Sequence, residues 1–492
     1  MTGVCAWKCE ICGYVHQGAE PVDSCPVCGA NRSHFSPLIL VAVPTPPATT
    51  GQWRCTICDH LWTGPQPPES CPICSATANL FEPYVAPDAV RSAPAIGRLV
   101  ILGAGVAGVT AAETARNLDP TVTITVLSRE SELPYYRLNL TRLLAVEIDE
   151  EALPLKPAAW FETQRIDLVC GEVVAIDRER RQVRLQDGRN FPYDRLLLAS
   201  GAHPFVPPVC GATRVGIMTL RTLGDVREIV SQLRPGSRCV CVGGGLLGLE
   251  AAAALQRQGA EVTVLEAFDW LLPRQLPRTG GRLLQELVAA RGIQVLCGVQ
   301  IKELCGDERV RSVQLVDGRE LPCDLVLLAV GVRPNSYLAR AAGLRVGSGV
   351  IIDDRMQTSD PAIFAAGDVA EHQQVVYGIW PAAYAQAVVA GTNVVGGSAA
   401  FTGLPPSNRL KVMGIELFSA GKLTAEDGSY QLTEVQEEGC YRALLCRDNR
   451  CLGGALLGDT TLAPILKEAI ECGAQLPERP ALLRHFPGLA VP

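Results

Sequence analysis

Eight cysteines near the N-terminus have the spacing of metal ligands. They form four Cys-x-x-Cys pairs, and twelve residues separate the two pairs of each set. Such a pair can form a tight turn that directs two thiolates at one ion, and two turns complete a tetrahedral site of four sulfurs. This donor set suits zinc or iron, and the spacing does not decide between the two metals. The predicted ligands are Cys9, Cys12, Cys25 and Cys28 in the first set, and Cys55, Cys58, Cys71 and Cys74 in the second.

The two sets belong to an internal repeat. A unit of about 30 residues cannot bury a sufficient core, so the metal must supply much of its folding free energy. The sequence therefore predicts two small metal-stabilised modules. A shift of 46 residues superposes the cysteines and also Trp7 on Trp53, Gly18 on Gly64, Pro21 on Pro67, Pro26 on Pro72, and Phe35 on Phe81.

The segment CEICGYVHQGAEPVDSCPVCGA resembles the short iron domain of rubrerythrins, a compact relative of rubredoxin. This resemblance implies iron in both modules, with zinc as the alternative. The modules differ after the second cysteine of each pair, where the first has Gly13 and Gly29 and the second has Asp59 and Ser75. Glycine permits a left-handed turn there, and serine tolerates it less well. We therefore expect the second module to differ in potential or in metal.

Two glycine-rich segments further along the chain have the spacing of dinucleotide-binding turns. In both, an apolar run leads into Gly-x-Gly-x-x-Gly and then into an Ala-rich helical pattern. This order predicts strand, tight turn and helix, with the backbone close to a pyrophosphate at the helix N-terminus. Two such segments predict two bound dinucleotides. The glycines are Gly103, Gly105 and Gly108 in the first segment, and Gly243, Gly245 and Gly248 in the second.

The acidic residue Glu266 ends the strand that follows the second glycine motif. A carboxylate at this place accepts hydrogen bonds from a ribose 2′-hydroxyl and repels a 2′-phosphate. We therefore expect NADH rather than NADPH as the nucleotide. Ser128, which is not acidic, holds the corresponding position after the first motif.

Length and charge narrow the class of protein. A chain of 492 residues allows three or four domains, and a net charge of −7 without a long run of one sign argues against nucleic acid as a partner. The N-terminal segment MTGVCAWKCE has no apolar run typical of a secretory signal, and the longest apolar runs are shorter than a bilayer span. These features predict a cytoplasmic protein without a membrane partner. The other twelve cysteines are expected to be small, mostly buried residues.

From residue 97 to about 400 the chain is similar to the FAD-dependent pyridine nucleotide oxidoreductases. The resemblance lies in YDRLLLASGAHPFVPP, LPCDLVLLAVGVRPN and TSDPAIFAAGDVAE, beside the two glycine motifs. The segment LPYYRLNL resembles the branch that contains NADH:rubredoxin oxidoreductases and the flavin end of NADH nitrite reductases. Leu138 stands where that branch often has proline.

This resemblance implies roles for individual residues. Glu250 would face the nicotinamide and pair with a cation beside the flavin, for which Arg142 is the candidate. Glu130 would reach the FAD ribose. The FAD and nucleotide contacts implied in addition are Ser128, Arg137, Ser200, Gly201, Gly331, Gly367 and Asp368.

The positions that carry thiols in related enzymes have none here. Disulfide reductases of this fold carry a Cys-x4-Cys soon after the first glycine motif, and no such pair occurs between residues 103 and 170. Peroxidase and oxidase relatives place a single cysteine after the second strand, and YYRLNLTRLLAVE has none. Electrons are therefore expected to leave the flavin directly, to a diffusible or an attached acceptor.

The predicted fold class is α/β, with two Rossmann-like domains for FAD and NAD, a C-terminal α+β domain and two preceding rubredoxin-like β modules. The C-terminal domain resembles that of the same branch and would cap the flavin domain or form subunit contacts. The predicted limits are 1–36 and 52–83 for the modules, 37–51 and 84–97 for linkers, 98–212 and 332–402 for the FAD domain, 213–331 for the NAD domain and 403–492 for the C-terminal domain.

The sequence thus predicts a flavoprotein that passes electrons from NADH through FAD to two iron centres and on to an external redox protein. The resemblance implies rubredoxin, rubrerythrin, a flavodiiron protein or superoxide reductase as acceptor, in defence against oxygen. Two alternatives stay open, namely the electron-input component of a nitrite or nitrate reductase, and a flavoprotein reductase with zinc-bound docking modules. Both a monomer and a homodimer are compatible with the sequence, as is either order of electron flow between the modules.

Overall fold

The computed structural model describes residues 51–56, 60–73, 76–84, 96–405, 407–473, 475 and 486, together with Arg32 and the backbone of three short strands near the N-terminus. For the predicted ligand Cys9 the backbone alone is described. Five other predicted ligands lie outside the described residues, namely Cys12, Cys25, Cys28, Cys58 and Cys74.

The two N-terminal modules each contain a three-stranded antiparallel sheet. The outer strands pair with the central one in the orders β2-β1-β3 and β5-β4-β6. Trp7 lies opposite His16, and Trp53 lies opposite Trp62, so the pairing is the same after a shift of 46 residues. The internal repeat therefore extends to strand register. The strands are β1 (Ala6–Cys9), β2 (Val15–Gln17), β3 (Phe35–Pro37), β4 (Gln52–Cys55), β5 (Leu61–Thr63) and β6 (Phe81–Pro83).

The first dinucleotide domain begins with β7 and its glycine turn into α1. Its elements before the first crossing to the next domain are β7 (Arg98–Leu102), α1 (Val106–Leu118), β8 (Thr123–Ser128), α2 (Leu140–Leu144), α3 (Ala158–Thr163), β9 (Ile166–Cys170), β10 (Val173–Asp177), β11 (Gln182–Leu185), β12 (Asn190–Pro192), β13 (Arg195–Leu198) and β14 (Ala202–Pro204).

The second dinucleotide domain repeats this plan. Its elements are β15 (Ile217–Thr219), α4 (Leu223–Gln232), β16 (Arg238–Val242), α5 (Leu246–Arg257), β17 (Glu261–Glu266), α6 (Arg278–Ala289), β18 (Gln294–Cys297), β19 (Ile301–Gly306), β20 (Val310–Leu315), β21 (Glu320–Pro322), β22 (Leu325–Leu328) and β23 (Val332–Pro334).

The chain then returns to the first domain and ends in a C-terminal unit. The returning elements are α7 (Tyr337–Ala341), β24 (Val350–Ile352), β25 (Ile363–Ala365), β26 (Ala370–His372) and α8 (Trp380–Val394). The C-terminal elements are β27 (Ser407–Val412), β28 (Ile415–Gly421), β29 (Tyr430–Glu437), β30 (Cys440–Arg447), β31 (Arg450–Leu457) and α9 (Ala463–Glu471).

Both dinucleotide domains are built on a five-stranded parallel sheet, in the orders β25-β13-β7-β8-β9 and β15-β22-β16-β17-β18. The strands are rich in Leu, Val and Ile and are mostly buried, as expected of a parallel sheet covered on both faces. Each domain also carries a three-stranded antiparallel sheet, β10-β11-β12 or β19-β20-β21. The two crossings between the domains pair with each other as β14 and β23. This is the α/β fold that the sequence predicts, with two Rossmann-like domains.

The C-terminal unit is a five-stranded antiparallel sheet, in the order β27-β28-β31-β30-β29, with α9 packed on β28 and β31. Both faces of the sheet are covered by other parts of the chain. Adjacent residues of a strand point to opposite faces, so they pack against different partners. Leu417 and Tyr441 pack against the second dinucleotide domain. Phe418 and Leu444 pack with α9 and with the second rubredoxin-like module. Within the described part of the chain, no helix combines the length and apolar character needed to cross a bilayer.

Candidate redox site

The first glycine motif forms a turn that brings α1 close to β7. Gly103 has φ +113°, and a Cβ atom there would lie 2.2 Å from the carbonyl oxygen of Ala199. A Cβ on Gly108 would lie 1.9 Å from the carbonyl oxygen of Gly103, so glycine is needed where helix and strand meet. At Gly105 a Cβ would meet no described atom within 4 Å. The turn therefore leaves open space at the N-terminus of α1, where a pyrophosphate would bind.

The second glycine motif has the same geometry. Gly243 has φ +110°, with Ala329 in the place that Ala199 has in the first domain. A Cβ on Gly248 would lie 1.9 Å from the carbonyl oxygen of Gly243, and one on Gly245 would again meet no described atom within 4 Å. Both turns therefore suit a dinucleotide, as their sequences predict.

A cavity of about 570 Å³ opens at the carboxyl end of the first parallel sheet. This is where ligands bind in open α/β sheets. It collects most of the residues predicted to meet FAD, although they are far apart in the sequence. The predicted residues that line it are Gly103, Gly105, Ser128, Glu130, Arg137, Ser200, Gly201, Glu250, Gly331, Gly367 and Asp368.

Glu130 and Arg137 form an ion pair at one end of this cavity. Arg137 Nη2 lies 2.7 Å from Glu130 Oε1, and the guanidinium also contacts the ring of Tyr135. The Tyr135 hydroxyl donates a hydrogen bond to Glu130, and burial raises the pKa of this phenol well above its usual value. Ser128 Oγ donates to the carbonyl oxygen of Glu130 at 2.8 Å, which fixes the loop after β8. The carboxylate of Glu130 is thus held at the cavity wall.

A second ion pair at the cavity wall joins two other segments of the chain. Arg221 Nη2 lies 2.9 Å from Asp368 Oδ2, and both side chains are partly buried. Sequence reasoning missed Arg221, although it lies just after β15, at the carboxyl end of a parallel strand. Gly367, which precedes Asp368 and also lines the cavity, donates its amide to Oε1 of the buried Gln386 at 2.9 Å. These contacts fix the Gly-Asp element that the sequence assigns to FAD.

Ser200 and Asn335 join the two crossings between the domains. Ser200 Oγ donates to the carbonyl oxygen of Asn335 at 3.2 Å, and Asn335 Nδ2 donates to the carbonyl oxygen of Ser200 at 2.7 Å. Gly201 and Gly331 flank these crossings with φ of +66° and +111°. Asn335 is a further cavity residue that the sequence analysis missed.

Glu250 lies in the second turn of α5 and lines the cavity. Its Oε2 accepts a hydrogen bond from Thr141 Oγ1 at 3.0 Å. Burial raises the pKa of Glu250 to about 7, the charge of Glu147 adds to the rise, and the hydrogen bond from Thr141 opposes it. Glu250 is thus poised between its acid and ionised forms near neutral pH.

The predicted ion pair between Arg142 and Glu250 is not formed. Arg142 Nε instead lies 3.4 Å from Glu147, and Arg142 is not among the residues that line the cavity. The reason is the geometry of α2, where neighbouring residues point about 100° apart around the axis. Thr141 faces Glu250, so Arg142 faces away from it.

Glu266 lies at the end of β17, as predicted, and is buried. Its two carboxylate oxygens accept hydrogen bonds from the amides of Gly244 and Phe268, at 2.8 and 2.9 Å. The carboxylate therefore stands directly beside the second glycine turn. Its remaining lone pairs suit a ribose hydroxyl.

In the second rubredoxin-like module, the structure describes two of the predicted ligands, Cys55 and Cys71, and both are fully buried. Each donates its amide to the carbonyl oxygen of the residue five positions later. The amide of Cys55 donates to the carbonyl oxygen of His60 at 2.8 Å, and that of Cys71 donates to Ala76 at 2.7 Å. Two buried thiols in one small core, with the same backbone hydrogen bond at each, fit a tetrahedral metal site.

This module reaches the wall of the cavity. Ile73, two residues after Cys71, lines the cavity itself. The His60 ring packs edge-on against Tyr136, with centroids 5.8 Å apart, and Tyr136 stacks on Trp380 at 5.5 Å. Trp380 also lines the cavity. This contact could not be predicted from the sequence, because the composition of a linker does not show where the module beside it docks.

A polar atom at the cavity fits a bound flavin nucleotide. Trp380, which lines the cavity, has a buried Nε1 donor without a hydrogen-bond partner among the described residues. Such a group is rarely left unsatisfied, so it indicates a ligand or water at the wall. Together with the open space at Gly105, it fits the FAD that the sequence predicts.

Comparison with protein families identifies three kinds of domain. A pyridine nucleotide-disulphide oxidoreductase model matches residues 97–387. The C-terminal domain of rubredoxin NAD+ reductase matches residues 406–474. The rubredoxin-like domain of rubrerythrin matches twice, at residues 7–36 and 53–82. These matches confirm the family resemblance of both parts of the chain, including the repeat.

Individual relatives belong to more than one functional class. The nitrite reductase [NAD(P)H] of Bacillus subtilis (strain 168) is 34% identical over 385 residues, which cover 77% of this chain and 48% of the relative. The chain thus spans about half the length of that protein. The ferredoxin–NAD(+) reductase component of the anthranilate 1,2-dioxygenase system of Burkholderia cepacia is 35% identical, over 67% of this chain and 84% of its own. The structure of NADH:rubredoxin oxidoreductase from Clostridium acetobutylicum matches with a TM-score of 0.68 and 28% identity, covering 80% of this chain and all of that one.

Proposed function

The chain belongs to the pyridine nucleotide-disulphide oxidoreductase family, and we propose that it passes electrons from NADH through FAD to iron in its rubredoxin-like modules, and then to an external redox protein. The family, the rubredoxin reductase-type C-terminal domain and the two rubredoxin-like domains support this order of components.

One observation carries the proposal. Ile73 belongs to the second module and also lines the cavity. Ile73 is two residues after the buried predicted ligand Cys71. The Cα atoms of the two residues are therefore at most about 7.6 Å apart, the span of two trans peptide units. A metal held by Cys71 therefore lies close to the wall of the flavin site, as direct electron transfer requires.

When bound, FAD would accept a hydride from NADH and release the two electrons of that hydride one at a time. This release matches iron sites that each take one electron. The chain's own residues provide the binding and the separation from water. The glycine turns admit the pyrophosphates, and Glu266 selects the nucleotide. On the metal side, Ile73 and Trp380 cover the cavity with apolar and aromatic surface.

Two modules suit this stoichiometry. Each NADH delivers two electrons, and each iron site with four sulfur ligands takes one. The two modules together can therefore take both electrons from a flavin that one NADH has reduced. The external acceptor would be a small redox protein such as rubredoxin, rubrerythrin, a flavodiiron protein or superoxide reductase, in defence against oxidative stress.

A second candidate function is electron input to a nitrite or nitrate reductase. The nitrite reductase relative and an assimilatory nitrate reductase electron transfer subunit of the same organism, 33% identical to this chain, support it. In a third candidate function the flavin chemistry is the same, but the two modules bind zinc and serve to dock another protein.

Metal analysis and EPR of the purified full-length protein distinguish these functions. The proposal predicts two iron ions per chain, with high-spin ferric signals that disappear when NADH is added. Two zinc ions per chain, or ferric signals that persist while the flavin is reduced, would contradict it. Addition of rubredoxin or of nitrite with a partner reductase then identifies the acceptor.

A further inference from the structure

Lys467 of α9 reaches from the C-terminal domain into the second rubredoxin-like module. Its Nζ donates a hydrogen bond to the carbonyl oxygen of Thr56 at 3.2 Å and lies 3.6 Å from Glu471, one turn along the helix. Lys467 is 4% exposed. Thr56 directly follows the predicted ligand Cys55, so this hydrogen bond holds the turn that carries the ligand.

Apolar contacts surround this hydrogen bond. Leu466 and Ile470 of α9 belong to the same buried cluster as Cys55, Cys71 and Phe81 of the module. If the module separated from α9, the Lys467 ammonium group would lose the Thr56 carbonyl oxygen as its acceptor. Among these apolar residues it would have no replacement until water reached it, which costs free energy. The lysine therefore makes the position of the module specific as well as stable.

The opposite side of the module faces the first dinucleotide domain. There His60 packs on Tyr136, and Ile73 lines the flavin cavity. The second module is thus held between α9 on one side and the cavity wall on the other.

The first module does not share the residues that make these contacts. Its core residues are the same, because Trp7 and Phe35 match Trp53 and Phe81 after the shift of 46. The residues that face the rest of the chain differ, which indicates that the two modules bind different surfaces. In the order second module to first module, these pairs are His60 and Tyr14, and Ile73 and Val27.

We propose that the second module is the inner electron acceptor, held beside the flavin cavity by Lys467 as a positioning residue, and that the first module is the outlet to the external redox protein. This order rests on the proposed function, since both modules must hold iron. Each step between the modules moves one electron from a ferrous second site to a ferric first site, and it occurs twice for each NADH oxidised. No bond is made or broken in the step.

Rapid mixing of the iron-loaded, full-length protein with NADH tests the role of Lys467. In Lys467→Met, loss of a hydrogen bond from a charged donor should lower the docked population about tenfold. Bleaching of both iron sites should slow accordingly, while reduction of the flavin by NADH keeps its rate. Lys422→Met is the matched control, since Lys422 lies in the same domain and pairs with Glu426 at the surface. It should leave all rates unchanged.

Hydrogen exchange gives a readout that needs neither metal turnover nor NADH. Amides of residues 52–56 and of α9 should exchange faster in Lys467→Met than in Lys422→Met. If Lys467→Met does not fold, Tyr136→Leu loosens the same module from the opposite side and should slow iron reduction in the same way. Iron reduction at the wild-type rate in a folded Lys467→Met protein would overturn the positioning role. If that variant does not fold, the same result in Tyr136→Leu would overturn it.

The order of the modules is tested with Cys71→Ser, which removes a ligand of the second site. In this variant the first site should stay ferric after NADH is added, as followed by EPR. Reduction of the first site at the wild-type rate would overturn the proposed order. Failure of the proposed function looks different, because the wild-type protein itself would then keep both metal sites unchanged while its flavin is reduced.

Discussion

Glu250 accepts a hydrogen bond from Thr141 across the contact between α5 and α2. The family resemblance implied a cation as the partner of this carboxyl group. With a hydroxyl in that place, burial dominates and the pKa of Glu250 rises to about 7. The charge at this wall of the cavity therefore changes near neutral pH.

This titration should appear in the stability of the protein. A carboxyl group whose pKa rises from 4.5 to about 7 on folding binds more protons in the folded state, so stability is lost as the pH rises through this window. The loss is at most about 3 kcal/mol for such a shift. Glu250→Gln cannot titrate and should lose less stability between pH 5 and pH 8. Urea unfolding followed by flavin fluorescence measures this difference, and equal losses in both proteins would contradict the prediction. Glu162→Gln, which changes an exposed carboxylate of α3, serves as control.

The two open glycine positions should separate FAD binding from NADH binding. Gly105→Ala adds a methyl group where no described atom interferes, so the fold should persist while FAD is lost on purification. Gly245→Ala should keep FAD and raise the KM for NADH about tenfold or more, equivalent to about 1.4 kcal/mol. Flavin absorbance and steady-state kinetics with ferricyanide measure both effects. Loss of FAD from Gly245→Ala would show that the second turn does not hold the nicotinamide nucleotide.

Gly108→Ala is the contrasting variant in the first motif. Its Cβ would lie 1.9 Å from the carbonyl oxygen of Gly103, so α1 and β7 cannot keep their contact. We expect little soluble protein from this variant. A folded Gly108→Ala protein with bound FAD would disagree with the turn geometry.

Glu266 should set the preference for NADH. Glu266→Gln removes the negative charge and with it the repulsion of a 2′-phosphate. The glutamine oxygen can still accept a hydrogen bond from one of the two amides. The ratio of kcat/KM for NADH to that for NADPH should fall about tenfold, or about 1.4 kcal/mol. Glu261→Gln changes an exposed carboxylate at the other end of β17 and should leave the ratio unchanged.

The ion pair of Arg221 and Asp368 should stabilise bound FAD. Arg221→Met leaves a partly buried carboxylate without its cation beside the predicted pyrophosphate site. FAD affinity should fall by about 1–3 kcal/mol, or roughly tenfold or more. Arg227→Met is a suitable control, because Arg227 pairs with Glu132 and Glu150 at the surface. Fluorescence titration of the flavin-free proteins with FAD compares the two variants.

Local patterns in the sequence were enough to predict the nucleotide motifs. Glycine spacing, strand-ending Glu266 and the repeated cysteine pairs each depend on a short segment whose geometry is fixed by its own backbone. The partner of Glu250 could not be predicted in this way, because the choice between Thr141 and Arg142 depends on how α2 is rotated. Arg221 and Asp368 are 147 residues apart, and their pairing depends on the packing of whole domains.

Strand β29 shows another limit of sequence patterns. Its residues Tyr430–Glu437 are mostly polar and exposed, because the strand lies at an edge of the C-terminal sheet. Such a strand lacks the apolar alternation by which half-buried strands are found. The neighbouring β30 and β31 are richer in apolar residues, and these residues are buried on both faces of the sheet.

The two covered faces of the C-terminal sheet affect how the chain can be shortened. Phe418 and Leu444 lie in a cluster completed by residues of the second module, whereas Leu417 and Tyr441 are covered by the nucleotide domain. A fragment starting at residue 96 would retain every cavity residue from the dinucleotide domains but would present part of this cluster to water. Exposed apolar patches of this kind favour self-association. The second module therefore also acts as a solubilising cover for the reductase.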